Sequence, residues 1–409
     1  MSKELRLYKK YASFVKLFLL IGGMCPITRE LNIIYRYIPI WTIFSCFIEL
    51  CAVGNSSLQN VENIPLLTAS LILFGTILNV ITKASCFFIH RKKLQQVNDI
   101  LSSILEEILG EIYIKSVILF YLQKFYRLIY VQAILMFITS IIYSMKPMII
   151  KMFHDANNIT NVQYPLPLLG TFPWRINSIL IWQLHYFFDV NILWFIFFVS
   201  VSVDAFFGFC MFRISVILRF LSFEFKRSSI DDKNKRNKEY EKSHQQIFRE
   251  CVEKHVLLLK CRNIIQEIYG PIILLVTITN AMSMCSIIFQ LFQVNGINIY
   301  KIGTFMAYLI LKLIQTFLYS WPGDVIFTES EFLRRNVYCS CWYDKNTSFA
   351  KYFLLVLAQK PIVLKACSLV QVTMDLLAKV NCSLYYHCSH PVITHMKTIS
   401  FSDLFFVCF

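Results

Sequence analysis

The chain has 409 residues, 56% hydrophobic and 16% charged, with a formal net charge of +15 and a mean hydropathy of +0.56. Soluble domains carry about 25% charged residues, so the composition excludes a soluble globular protein and points to one polytopic, all-α membrane domain. Thirty-seven Phe and 21 Tyr against 11 Gly exclude a disordered or Gly-rich fibrous chain. The positive charge suits Lys and Arg gathered in cytoplasmic loops, and no nucleic-acid partner is expected.

Residues 1–36 open with Lys3, Arg6, Lys9 and Lys10, followed by an apolar run from Phe14 to Cys25 that Lys16 interrupts. This has the outline of a signal peptide, but the run is short for a span and no A-x-A-like cleavage site follows it. Gly22-Gly23-Met24-Cys25-Pro26 reads as a turn that ends a short interfacial helix. A spanning helix needs about 20 largely apolar residues. Seven candidates follow: Tyr37–Gly54, Ile64–Thr82, Leu128–Met145, Ile176–Met211, Gly270–Phe292, Ile302–Ser320 and Leu369–Tyr386. Six of them fall within 37–320. The seventh, at the start of 369–388, carries Asp375 and Lys379.

Lys and Arg in the connecting segments set the orientation. The N-terminal segment has seven, the first loop (Asn55 to Asn63) none, the second (Lys83 to Arg127) seven and the third three. The fourth, 212–269, has thirteen, the fifth only Lys301, and the sixth is rich again with Arg334, Arg335, Lys345, Lys351 and Lys360. Rich and poor segments alternate, which places the N-terminus in the cytoplasm and the C-terminus outside. Two sequons, at Asn55 and Asn158, fall in the poor loops and are the expected glycosylation sites. Within the fourth loop, apolar stripes at helical spacing flank a charged stretch from Ser228 to Gln246: Ile214, Ile217, Leu218 and Leu221 before it, Phe248, Val252, Val256, Leu259 and Ile264 after it. The fourth and fifth helices are therefore expected to continue into the cytoplasm as an antiparallel pair. Their stripes pack either within the chain or on another subunit.

Ionisable groups inside a membrane are costly and mark function or structure. Glu49, Asp189, Asp204, Asp375 and Lys379 are the candidates, and no H-E-x-x-H, G-x-S-x-G or paired Asp motif accompanies them. No enzyme activity and no cofactor is expected, and Asp204 reads as the structural partner of a basic group. Most of the 14 Cys lie singly in apolar runs, no C-x2-C pair occurs, and His387-Cys388-Ser389-His390 has no second half-site, so no metal site is expected. A G-protein-coupled receptor would have its N-terminus outside, and neither D-R-Y after the third span nor N-P-x-x-Y in the last is present. Paired broken helices or repeat symmetry, expected of a transporter, are absent as well.

From Trp321 onward the chain carries an ordered series of small, hydroxyl, aromatic and proline residues. Tyr319 and Gly323 close the sixth span; Ser330, Tyr338, Trp342 and Tyr343 follow, then Lys360-Pro361, then Lys379 and Ser383 in the last span. This order resembles the C-terminal signature of the insect odorant receptors, and Leu19-Leu20-Ile21-Gly22 ahead of Pro26 is similar to the family's opening. The gustatory relatives' T-Y-hydrophobic-Q-F motif is not found. The resemblance implies an odorant-binding subunit of a heterotetrameric, ligand-gated cation channel formed with a co-receptor, in the plasma membrane of a sensory neuron dendrite. A metabotropic chemoreceptor or non-conducting relative on the same fold is the alternative.

The resemblance further implies that 321–368 is a cytoplasmic anchor in which Ser330, Tyr338, Trp342, Tyr343 and Pro361 pack. Gln371, Asp375, Lys379 and Ser383 would line the pore. The ligand would be a small hydrophobic volatile held among the outer half-helices, where Phe74, Phe137, Trp182, Tyr186, Phe187, Phe305 and Tyr308 offer a wall. Each of these also suits ordinary helix packing. The sequence departs from the family after Cys388, where residues 389–409 run on to Leu404-Phe405-Phe406-Val407-Cys408-Phe409.

Overall fold

A computed structural model of the chain describes residues 3–25, 33–110, 114–157, 165–174, 178–230, 238–292, 299–340, 347–367, 369–375 and 378. The described elements are α1 (Lys3–Ile21), α2 (Ile33–Gln59), α3 (Ile64–Ile89), α4 (Arg91–Ile108), α5 (Lys115–Ala156), α6 (Ile179–Ile230), α7 (Lys238–Phe292), α8 (Ile299–Cys339), α9 (Thr347–Ala358) and a short β1 (Lys365–Ala366) and β2 (Val370–Gln371). Six helices, α2, α3 and α5 to α8, are long and apolar enough to cross a membrane. They contain five of the first six expected spans and all but the first three residues of the fourth, Ile176–Met211, since α6 starts at Ile179; most run on past the expected ends. α6 has 52 residues and α7 has 55, or about 80 Å each at 1.5 Å per residue, against a hydrocarbon core of about 30 Å. Both extend well beyond any bilayer.

The seventh expected span differs at its start. Val370 and Gln371 pair antiparallel with Ala366 and Lys365, and Leu369 N–H closes the turn on the Ala366 carbonyl at 2.9 Å. Cys367 adopts φ 50 within this turn. Helix resumes only at Met374 and Asp375, and apart from Ala378 the remainder of the expected span, with Lys379 and Ser383, lies outside the described residues. The first loop is also shorter than expected, because α2 runs on through Asn55 to Gln59.

α6 is the axis of the bundle: 83% of its most apolar stretch is buried, against 28% for α3 and for α5. α1 lays Tyr8, Tyr11, Val15 and Leu19 inward at helical spacing. Tyr11 meets Phe209 of α6 and Tyr126 of α5 edge-on, with ring centroids 4.9 and 5.7 Å apart. Its C-terminus closes as the sequence implies, with Gly23 at φ 68 and Met24 N–H bonded to Leu19 O at 2.9 Å.

At the end of the bundle where α6 leaves the apolar zone, α6, α7, α8 and α9 pack together. Phe248 of α7 lies between Phe225 of α6 and Phe353 of α9, at 4.9 and 4.1 Å. Arg219 pairs with Glu329 at 3.0 Å, and Asn336 donates to Ser222 at 2.5 Å. The apolar stripes flanking the charged loop are thus largely consumed within the chain: Ile214, Ile217, Leu218, Leu221, Phe248 and Val252 are buried, while Val256 stays 50% exposed. Gly323, inside α8, is where the carbonyl of Val372 comes so close that a Cβ would collide with it. The strand β2 therefore docks on a helix face that only glycine leaves open.

Candidate functional site

A cavity of about 250 Å³ lies between α3, α5, α6, α7 and α8. Each helix contributes one face to it. α3 presents Ala69, Ile72, Leu73, Thr76 and Asn79, spaced three or four residues apart for the most part, and α6 presents Leu193, Ile196 and Ser200. Met136, Ser140 and Tyr143 of α5 and Ile287 and Gln290 of α7 complete the sides. α8 supplies the longest wall, running Thr304, Phe305, Tyr308, Leu311, Lys312, Gln315.

Pro167, Leu168 and Leu169 reach the cavity from the segment between α5 and α6. Five hydrogen bonds fasten the described part of this segment, 165–174. Thr171 N–H donates to Ala52 O at 3.1 Å, and Asn55 Nδ2 donates to Thr171 O at 3.1 Å. Leu168 N–H reaches the buried Asp189 carboxylate at 3.3 Å. Trp182 Nε1 donates to Pro165 O at 2.9 Å, while Trp174 Nε1 meets His185 Nε2 at 2.5 Å. The segment also carries Phe172 against His185, ring centroids 4.6 Å apart. Such a roof is held by α2 and α6 together.

The lining is mainly hydrocarbon, with its polar groups at defined places. Tyr308 and Thr76 share a hydroxyl hydrogen bond of 3.3 Å across α8 and α3. Gln290 donates to Thr68 at 2.6 Å, and Asn79 donates to Thr279 at 2.6 Å. Lys312 is only 4% exposed, and its ammonium lies 5.3 Å from the Tyr308 ring centre. Apolar area with a few oriented polar groups is the usual make-up of a small-molecule site.

Below the cavity, the same α8 wall continues to Tyr319, two turns beyond Lys312. Tyr319 donates its hydroxyl to Asp204 Oδ1. Lys83 of α3 pairs with the same oxygen at 2.6 Å, and Gln132 of α5 donates to Oδ2 at 2.7 Å. Asp204 thus has the basic partner expected from the sequence, and through Gln132 and Tyr319 it binds two further helices as well.

Of the seven aromatic residues offered by the sequence as a ligand wall, Phe305 and Tyr308 line the cavity. Trp182 and Tyr186 stack on each other at 5.4 Å and brace the roof and α5, with the Tyr186 hydroxyl on Ser144 O at 2.7 Å. Phe137 packs on Trp194 and Phe197 at the α5–α6 contact, at 5.9 and 5.7 Å. Phe74 turns toward Gly54 of α2, and Phe187 is 70% exposed. Sequence reasoning passed over Lys312, Gln315 and Thr76. A lysine and a glutamine three residues apart within an apolar span were the available signal.

Elsewhere, Ser330 is buried and its hydroxyl accepts from Ile362 N–H at 2.9 Å, tying α8 to the segment after Pro361. Tyr338 is 69% exposed, Gln371 and Asp375 are exposed, and Trp342, Tyr343 and Asn158 lie outside the described residues. Asn55 sits on α2 with its amide engaged by Thr171. Among the described residues no group of His, Cys, Asp or Glu is placed to hold a metal ion.

A family model described as 7tm Odorant receptor matches residues 63–385. The odorant receptor coreceptor of Anopheles gambiae is 29% identical over 132 residues, 32% of this chain and 27% of that one. The coreceptor of Drosophila melanogaster is 28% identical over the same extent. This chain therefore aligns with about a quarter of the curated relatives' length. Among solved structures, the insect olfactory receptor OR5 from Machilis hrabei superposes with a TM-score of 0.76 over 94% of this chain and 98% of that chain, at 15% identity. Its complex with eugenol gives the same score over 97% and 100%. The fold is that of OR5.

Proposed function

This chain belongs to the insect odorant receptor family, and we propose that it is the odorant-binding subunit of a ligand-gated cation channel formed with a co-receptor. The observation that carries this reading is the roofed apolar cavity whose α8 wall runs on to the Asp204 junction. A small volatile that fills the cavity presses on α3, α5, α6, α7 and α8 at once, and α8 carries the displacement two turns down to Tyr319. A ligand that fits the open arrangement better than the closed one shifts the equilibrium toward opening. OR5, an olfactory receptor of the same fold, has been solved with eugenol, which supports a small volatile as the ligand here.

In this proposal the chain crosses the plasma membrane of a sensory neuron dendrite seven times, with the N-terminus inside and the C-terminus outside. The packed ends of α6, α7 and α8, with α9 and residues 321–368, form a cytoplasmic anchor for the heterotetramer. The β1–β2 turn leads into the pore segment bearing Gln371, Asp375, Lys379 and Ser383. Whole-cell recording tests the reading: cells expressing this chain with the co-receptor, with G-protein signalling blocked, are expected to pass a fast cation current to some volatile in a panel of acids, esters, alcohols and hydrocarbons. Absence of current from a receptor shown to reach the surface overturns it.

A further inference from the structure

One wall of the cavity carries its charged group between two polar ones. Tyr308, Lys312 and Gln315 of α8 are spaced by four and three residues, so they rise along one wall. Lys312 is buried, and its ammonium lies against the Tyr308 ring. No described carboxylate pairs with it. Asp204 is already taken by Lys83 and Tyr319 on one oxygen and by Gln132 on the other. Asp189 is engaged by Leu168 N–H at the roof. A buried ammonium without a counter-ion costs several kcal/mol, and the other lining groups are uncharged, either hydrocarbon, as Ile72, Leu73, Ile196 and Ile287, or neutral polar, as Thr76, Asn79 and Gln290.

We propose that the ligand is a small aliphatic monocarboxylic acid, its carboxylate paired with the Lys312 ammonium and accepting from the Gln315 amide, its chain lying on the α3, α6 and α7 faces. The inference rests on the reading of this cavity as the odorant site. An acid supplies the missing counter-charge, and a volume of about 250 Å³ below the ~300–1,000 Å³ of drug-sized pockets selects a short chain. Esters and alcohols of the same length bury the same hydrocarbon and leave the ammonium unpaired.

The test is a concentration–response series in cells expressing this chain and the co-receptor, using straight-chain acids from butanoic to octanoic with the alcohol and methyl ester of each. The best acid is expected to act at a concentration about tenfold or more below its ester and alcohol. Lys312→Met removes that preference by weakening the acid alone, Lys312→Arg retains it, and Gln315→Leu weakens the acid and leaves the ester unchanged. An acid no better than its ester in the unmodified receptor, or a Lys312→Met receptor in which both weaken equally, overturns the proposal. Thermal unfolding of the solubilised complex with and without acid gives a second readout, independent of gating. Stabilisation by acid that Lys312→Met abolishes and Lys312→Arg keeps supports the site, and equal stabilisation of the Lys312→Met protein overturns it. Acid binding by this criterion without any current defeats the channel reading alone; a co-receptor-dependent current evoked only by esters or alcohols defeats the acid site alone.

Discussion

The ammonium of Lys83 on α3 lies 2.6 Å from a carboxylate oxygen of Asp204 on α6, and neither side chain has any exposed surface. Tyr319 of α8 and Gln132 of α5 share the carboxylate, so four helices meet on one charge. Breaking a buried pair from one side leaves an uncompensated charge, at a cost of about 3–5 kcal/mol. Lys83→Met and Asp204→Asn are each expected to lower the thermal midpoint of the solubilised receptor sharply. The double replacement Lys83→Met with Asp204→Asn, which leaves no orphan charge, loses less than the sum of the two single changes. Additive losses would mean that the two side chains act separately.

The cavity walls predict a second pattern. Ile196→Trp and Leu73→Trp fill the space with side chains from facing helices. Each is expected to raise the half-maximal odorant concentration about tenfold or more. Phe137→Ala and Phe187→Ala alter aromatic residues outside the lining and at least 43% exposed, so their responses stay within about twofold of the unmodified receptor. Loss of response in the Phe187 variant with the Ile196 variant unaffected would place the odorant outside this cavity.

The helices were legible because each span is a long apolar run, and Asp204 could be read as a structural partner because an isolated acid in such a run needs one. The cavity was less legible. Phe305 and Tyr308 were found because they are large aromatics on the sixth span, yet Phe74 shares α3 with Ile72 and Leu73 and faces α2 instead. About half a turn of a helix separates a wall residue from a lipid-facing one, and composition does not carry that phase when apolar residues cover the whole circumference. The strand at Val370 was hidden for a different reason. Its neighbours are as apolar as a span, while the residue that follows the strand, Val372, packs on Gly323, 49 positions back in the sequence.

Gly323 gives a prediction of sign. In an unencumbered helix interior, Gly→Ala stabilises by about 1 kcal/mol. Here an added Cβ meets the Val372 carbonyl, whose carbon would lie only 3.1 Å away, and overpacking of this kind costs about 1–3 kcal/mol. Gly323→Ala is therefore expected to lower the thermal midpoint and, by displacing β2 from α8, to reduce the maximal odorant current with little change in the half-maximal concentration. An alanine variant more stable than the parent would show that the strand does not dock on α8.

The proposed orientation predicts where sugars and tags are found. With the N-terminus inside, an epitope fused ahead of α1 stains only after permeabilisation, and the segments holding Asn55 and Asn158 face the medium. A glycan on Asn55 has to replace the bond from its amide to Thr171 O, and Ser57 of that sequon already donates to Val53 O at 3.0 Å. Asn158→Gln is therefore expected to remove most of the mobility shift produced by endoglycosidase, and Asn55→Gln little of it. Staining of intact cells through the N-terminal tag would reverse the orientation, and with it the assignment of the α6–α9 packing to the cytoplasm.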